Sequence, residues 1–147
     1  QWMGGNFKFK YRVIPHTGNW QEVNAFRKTK EAVVPLIGKF ITEEEKNSAE
    51  KFKSFFIEEI DSLELLALKA ADGEGYILRL REALGKEQKH KIIMDKSITK
   101  VFRCNLLESV EREIMLNPSE TANQVDLDIN PFEIVTLKLI KNLEEFI

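Results

Sequence analysis

The sequence is poor in the residues that most often carry chemistry. Its 147 residues include one cysteine, Cys104, and two histidines, His16 and His90. A single cysteine forbids an internal disulfide, and so few soft ligands rule against a structural zinc site of the usual Cys/His type. Charge of one sign is lacking too: 22 Lys plus Arg against 24 Asp plus Glu leave a net charge of -2. Without a cationic surplus, nucleic acid is not an expected partner. Apolar runs are short, Val33 to Ile37 being broken by Pro35. None approaches the roughly 18 to 20 residues of a membrane span, so no membrane partner is expected. The opening residues, Gln1-Trp2-Met3-Gly4-Gly5, form no signal peptide. The only Asn-x-Ser/Thr triplet, at Asn117, is spoiled by Pro118. These absences lead to the expectation of a cytoplasmic protein. Gln1 is not an initiator Met, which leads to the expectation that the chain is a piece of a longer one.

What is present suffices for a packed core: 43% of the residues are hydrophobic and 31% charged. The mass of 17.1 kDa fits one ordinary domain or two small ones. It is too small for a (β/α)8 barrel, which needs roughly 200 residues or more.

The clearest local pattern comes early. Phe7, Phe9, Tyr11 and Val13 alternate with Lys8, Lys10 and Arg12, which predicts a half-buried strand with a basic outer face. Pro15 and Gly18 stop it. Asn19 and Glu22 have capping-box spacing, and Trp20, Val23 and Phe26 recur every three residues, so a short helix is predicted near 19–29. Pro35 forces extended chain before it. Residues 42–53 are polar and read as either a linker or a helix start. Beyond them the pattern is β: a short run at Phe55–Ile57, a hairpin of Leu63–Lys69 and Tyr76–Arg81 around Asp72-Gly73-Glu74-Gly75, then strands at Ile92–Met94, Lys100–Leu107, 125–130 and 133–140. Short strands with frequent turns indicate an all-β fold, mainly an antiparallel sandwich, with one short helix.

Candidate chemistry is thin. Carboxylates come in groups (Glu43 to Glu45, Glu58 with Glu59, Glu111 with Glu113, Asp126 with Asp128), but a glycosidase pair needs two carboxyls across a cleft, one of them buried. Solvated charge is the simpler reading, including for Asp126 and Asp128 on one exposed strand face about 7 Å apart. His16 stands in a Pro/Gly turn next to Trp20, where it could bind a sugar or act as an acid; the bland alternative is an imidazole pinning the turn. His90 lies between Lys89 and Lys91 and reads as solvated. Cys104 reads as a buried, inert thiol. Trp20, Tyr11 and Tyr76 could form a stacking platform, although such spacing more often serves a core. The acidic turn 72–75 is no phosphate loop, since no Lys follows it.

Five blocks, taken in order, resemble one family. They are Phe7 to Trp20 with its Pro15-His16-Thr17-Gly18-Asn19-Trp20 turn, Val33-Val34-Pro35-Leu36, Leu63 to Glu82, Asn105 to Glu108, and Pro131 to Leu139. Together they are similar to the C-terminal region of glycoside hydrolase family 38 α-mannosidases. The sequence departs from that pattern at Val33-Val34 and at Arg81-Glu82-Ala83. The resemblance implies a parent enzyme that hydrolyses α-mannosides with retention, using Zn2+ in an N-terminal catalytic domain of the same polypeptide. It implies that residues 1–50 end a large β-sandwich and that 51–147 form a smaller terminal one, with 42–53 as the connection. It supplies no catalytic or metal residue and no cofactor for this chain, which alone would be inactive and could take part in oligomerisation. The alternative expectation is a carbohydrate-binding module that holds mannose-containing glycans through His16 and Trp20. A weaker one is an enzyme in its own right, using Asp126 and Asp128. A sandwich belonging to a larger body should also expose an apolar patch, near 7–14 or 33–41.

Overall fold

Apolar residues at every second position give a strand one face to bury, and two such sheets can bury their faces against each other. The computed structural model of the protein describes residues 4–34, 42, 62–120 and 122–141. Among these residues one helix, α1 (Ala25–Val33), precedes eight strands: β1 (Leu63–Ala70), β2 (Tyr76–Glu82), β3 (Gln88–Asp95), β4 (Ile98–Cys104), β5 (Val110–Ile114), β6 (Asn117–Pro118), β7 (Ala122–Ile129) and β8 (Ile134–Lys141). The strands form a five-stranded sheet in the order β1-β2-β8-β4-β5 and a three-stranded sheet in the order β3-β7-β6. Every pairing is antiparallel. The expected antiparallel sandwich with one short helix is therefore what forms.

The core is the seam between the sheets. Leu78 and Leu80 of β2 lie opposite Leu137 and Val135 of β8, and Ile92 of β3 lies opposite Val125 of β7. These residues join Met94, Ile98, Val101, Leu127, Ile129 and Leu139 in one buried cluster. Each such side chain contributes roughly 1.5–3 kcal/mol by leaving water. β8 is central, pairing with β2 on one side and β4 on the other. The larger sheet is wider than the smaller one that covers it. Leu65 and Leu68 of the edge strand β1 lie opposite Leu80 and Leu78, on the core face, yet remain 43% and 41% exposed.

The β1–β2 hairpin forms where the sequence puts it, closed by a hydrogen bond from Ala71 N–H to the Gly75 carbonyl at 3.0 Å. Gly75 has φ +95°, and a Cβ there would run into the Leu139 carbonyl oxygen. Only glycine fits.

Three expectations need correction. Residues 7–14 pair with no strand among the described residues. Their alternation is real: the rings of Phe7 and Phe9, and of Phe9 and Tyr11, stack with centroids 6.5 Å apart. The apolar row is nevertheless exposed, from 64% at Phe7 to 87% at Val13, rather than half-buried. Periodicity shows which face a strand offers, but not what covers it. Secondly, the capping box forms but the helix does not follow it directly. The Asn19 side-chain oxygen accepts the N–H groups of Gln21 and Glu22 at 3.0 and 2.9 Å, and Glu22 accepts the Asn19 Nδ2 at 2.7 Å. The chain then turns, passes through a left-handed Asn24 (φ 51°), and starts α1 at Ala25. It ends at Val33, and Val34 is extended ahead of Pro35. Thirdly, the strand expected at Lys100–Leu107 is shifted back to Ile98–Cys104, because Asn105 to Ser109 close a tight turn.

The α1 region is fastened to the sandwich. Gln21 Nε2 donates to the Leu84 carbonyl at 3.1 Å, and Lys30 pairs with Glu64 at 3.4 Å and donates to the Leu65 carbonyl on the β1 edge. Val33 and Val34 are exposed, like residues 7–13. The expected connection at 42–53 (Thr42 apart), the run at Phe55–Ile57, the proposed boundary near residue 50 and residues 35–41 lie outside the described residues.

Candidate functional site

His16 and Trp20 occupy one exposed turn whose backbone is held by the Asn19–Glu22 box and by Gly18 at φ +81°. Ala25 N–H donates to the Trp20 carbonyl at 3.0 Å, fixing the backbone, while the indole stays 43% exposed. No hydrogen bond among the described residues holds the His16 ring. The other two aromatics of the conceivable platform are elsewhere. Tyr76 packs against the core cluster, and Tyr11 belongs to the stacked row with Phe9.

Asp126 and Asp128 project from β7 into solvent, between the buried Val125, Leu127 and Ile129. Asp126 accepts hydrogen bonds from Asn117 Nδ2 and Gln124 Nε2, each at 2.9 Å, and Asp128 faces Lys89 at 3.8 Å across the β3–β7 pair. With Arg103, Arg112, Glu113 and Met115 they line an open groove of ≈ 250 Å³. A second open groove of ≈ 400 Å³, lined by Thr99, Lys100 and Glu113 to Leu116, lies beside it. Both carboxylates are wet and partnered. That suits surface binding, and gives no buried acid for proton transfer.

Two buried titratable groups stand apart from the candidates above: His90, which reads as solvated from sequence, and Glu82, which the sequence does not single out. His90 is 4% exposed rather than solvated. It shares the inward face of β3 with Ile92 and Met94, so strand parity, not the neighbouring lysines, decides its position. Burial holds its pKa below 6.5, partly countered by the nearby Glu82 charge, and Nε2 finds no partner among the described residues. Glu82, at the end of β2, has no exposed surface. Its carboxylate accepts the backbone N–H groups of Leu84 (2.8 Å), Gly85 (2.7 Å) and Phe132 (3.0 Å). Burial alone would raise its pKa. Those bonds, with one from Lys86, outweigh that and hold it below the ordinary carboxylate value. The carboxylate thus ties the β2–β3 loop and the β7–β8 turn to one point. Cys104 is buried, which pushes its thiol pKa up and keeps it unreactive.

Among the described residues no group of three or more His, Cys, Asp or Glu is placed to hold a metal ion. Nor is any helix among them long and apolar enough to cross a membrane. The search of curated proteins found no match. A family model described as the glycosyl hydrolases family 38 C-terminal beta sandwich domain matches residues 62–137, just over half of the chain, running from the start of β1 into β8.

Proposed function

The chain belongs to the glycosyl hydrolases family 38 C-terminal beta sandwich family, and from that premise we propose that it is the non-catalytic terminal portion of a retaining, zinc-dependent α-mannosidase. In this reading a catalytic domain earlier in the same polypeptide holds the zinc and the α-mannoside, in the cytoplasm, and this chain buttresses it. The observation that carries the reading is the coincidence of the family match with the two-sheet body. Support also comes from the chemistry of that body: its exposed carboxylates are solvated, and its buried one is committed to backbone N–H groups. The purified 147-residue chain is expected to leave an aryl α-mannoside intact with zinc added, while the longer polypeptide cleaves it. Zinc-dependent cleavage by the chain alone would refute the reading.

A second reading, a glycan-binding surface, is favoured by the half-exposed Trp20 beside the exposed His16 on a hydrogen-bonded turn. It expects mannose oligosaccharides to bind in calorimetry, and Trp20→Ala to abolish that binding with an unchanged melting temperature. Equal binding by the variant would remove the turn from consideration.

A further inference from the structure

Among the described residues β5 pairs only with β4, leaving a row of its N–H and C=O groups on the outer side. The turn leading into it is rigid. Asn105 Oδ1 accepts the N–H groups of Leu107 (2.9 Å) and Ser109 (3.0 Å), and Asn105 N–H donates to the Ser109 carbonyl at 3.0 Å. Glu108 takes a left-handed backbone, φ 68°, and its carboxylate is held by Lys69 at 2.7 Å and Arg79 at 3.4 Å. This framework thrusts Leu106 and Leu107 into water, 60% and 86% exposed, and Met115 stands 82% exposed past the other end of β5. Apolar side chains fixed outward lose little entropy on meeting a partner.

The two faces of β5 differ in chemistry. Glu113 lies opposite Phe102, and the register shift beside Cys104 puts Glu111 on that same face, where its charge reaches the Cys104 thiol. Arg112 and Ile114 lie opposite Arg103 and Val101, on the face turned to the core. The side chains of Glu111, Arg112 and Glu113 make no hydrogen bond or ion pair among the described residues. The two open grooves meet at Glu113, Ile114 and Met115 and flank this edge.

We propose that β5 is a docking edge for an extended strand of another polypeptide, one in which Lys or Arg alternates with aromatic or apolar residues. Added to the edge, such a strand pairs its backbone with β5 and sets its cations beside Glu111 and Glu113. Its apolar row lies beside Ile114 on the other face, with an aromatic ring over the Arg112 guanidinium. The chain's own residues 7–13 have this alternation, but among the described residues no pairing joins them to β5.

A labelled peptide of sequence Phe-Lys-Phe-Lys-Tyr-Arg-Val is the probe, titrated against the full chain by fluorescence anisotropy. Saturable binding is expected, weakened about tenfold or more by Glu111→Lys with Glu113→Lys, and likewise by Leu107→Asp. These positions are exposed, so the variants should melt like the parent. Hydrogen exchange should show the β5 amides gaining protection in the complex. The proposal is overturned if the peptide does not saturate, or if a version with Glu and Asp in place of Lys and Arg binds equally well. It is also overturned if the chain self-associates through β5 and loses this on removal of residues 4–13, because a second copy would then own the edge.

Discussion

Replacing Glu82 with alanine should come close to unfolding the domain. The side chain is fully buried, and its two oxygens receive N–H groups from Leu84, Gly85 and Phe132 at 2.7–3.0 Å. Hydrogen bonds to a charged group are worth roughly 1.5–3 kcal/mol each, and a buried donor left without a partner costs about 1–3 kcal/mol. Some of the released donors will find water as the loops loosen, so the full sum is not expected. A loss of about 4 kcal/mol is reasonable against a typical total stability of about 5–15 kcal/mol. Glu82→Gln keeps the shape but turns an amide NH2 towards backbone donors and removes the charge; about 2–3 kcal/mol is expected. Urea unfolding followed by circular dichroism measures this directly. With an m-value of about 2 kcal/mol/M, the alanine variant should lose about 2 M in midpoint. If Glu82→Ala costs less than about 1 kcal/mol, the carboxylate is not the tie point described and the reasoning fails.

The same corner should make the fold acid-sensitive. Because burial lowers the folded pKa of His90, the unfolded chain binds more protons just below pH 6.5, and stability should fall as pH drops from there to the folded value; His90→Leu should flatten this part of a stability-versus-pH curve. Glu82, also lowered, adds a second fall below pH 4.5, which Glu82→Gln should remove. Gly75→Ala should cost more than the usual ~1 kcal/mol for a positive φ, since its Cβ meets the β8 backbone; thermal melting tests this. Leu137→Ala, at a site with no exposed surface, should cost roughly 2–5 kcal/mol in urea unfolding, whereas Leu107→Ala should change stability by less than about 0.5 kcal/mol.

The parts of the fold legible in the sequence are those where local chemistry and long-range packing agree. Asp72-Gly73-Glu74-Gly75 between two alternating runs specifies a hairpin, and Val125, Leu127 and Ile129 show their buried face at period two. The readings that failed had the right local signal and lacked a distant fact. Phe7 to Val13 alternate as a strand should, but nothing local reveals whether a sheet covers them. Asn19 and Glu22 do cap a turn; the left-handed Asn24 that delays the helix left no mark in the spacing. His90 was legible in principle, since it keeps step with Ile92 and Met94, and the flanking lysines obscured it. Glu82 was not legible, because its partners are backbone groups of loops, one of them fifty residues away in sequence.

The place of β8 in the sheet has a consequence for how the chain is made. β1 with β2, and β4 with β5, are hairpins that can form as soon as each is synthesised. The five-stranded sheet cannot close until β8, which follows all the other strands, slides between them. Insertion of a central strand late in the chain is a non-local and therefore slow step. Released chains truncated before Ile134 should stay protease-sensitive while those that run through Lys141 do not. In a ribosome-bound polypeptide the last strand would then report that translation had passed it: the domain acquires a protected core only after nearly every residue that builds it has been added.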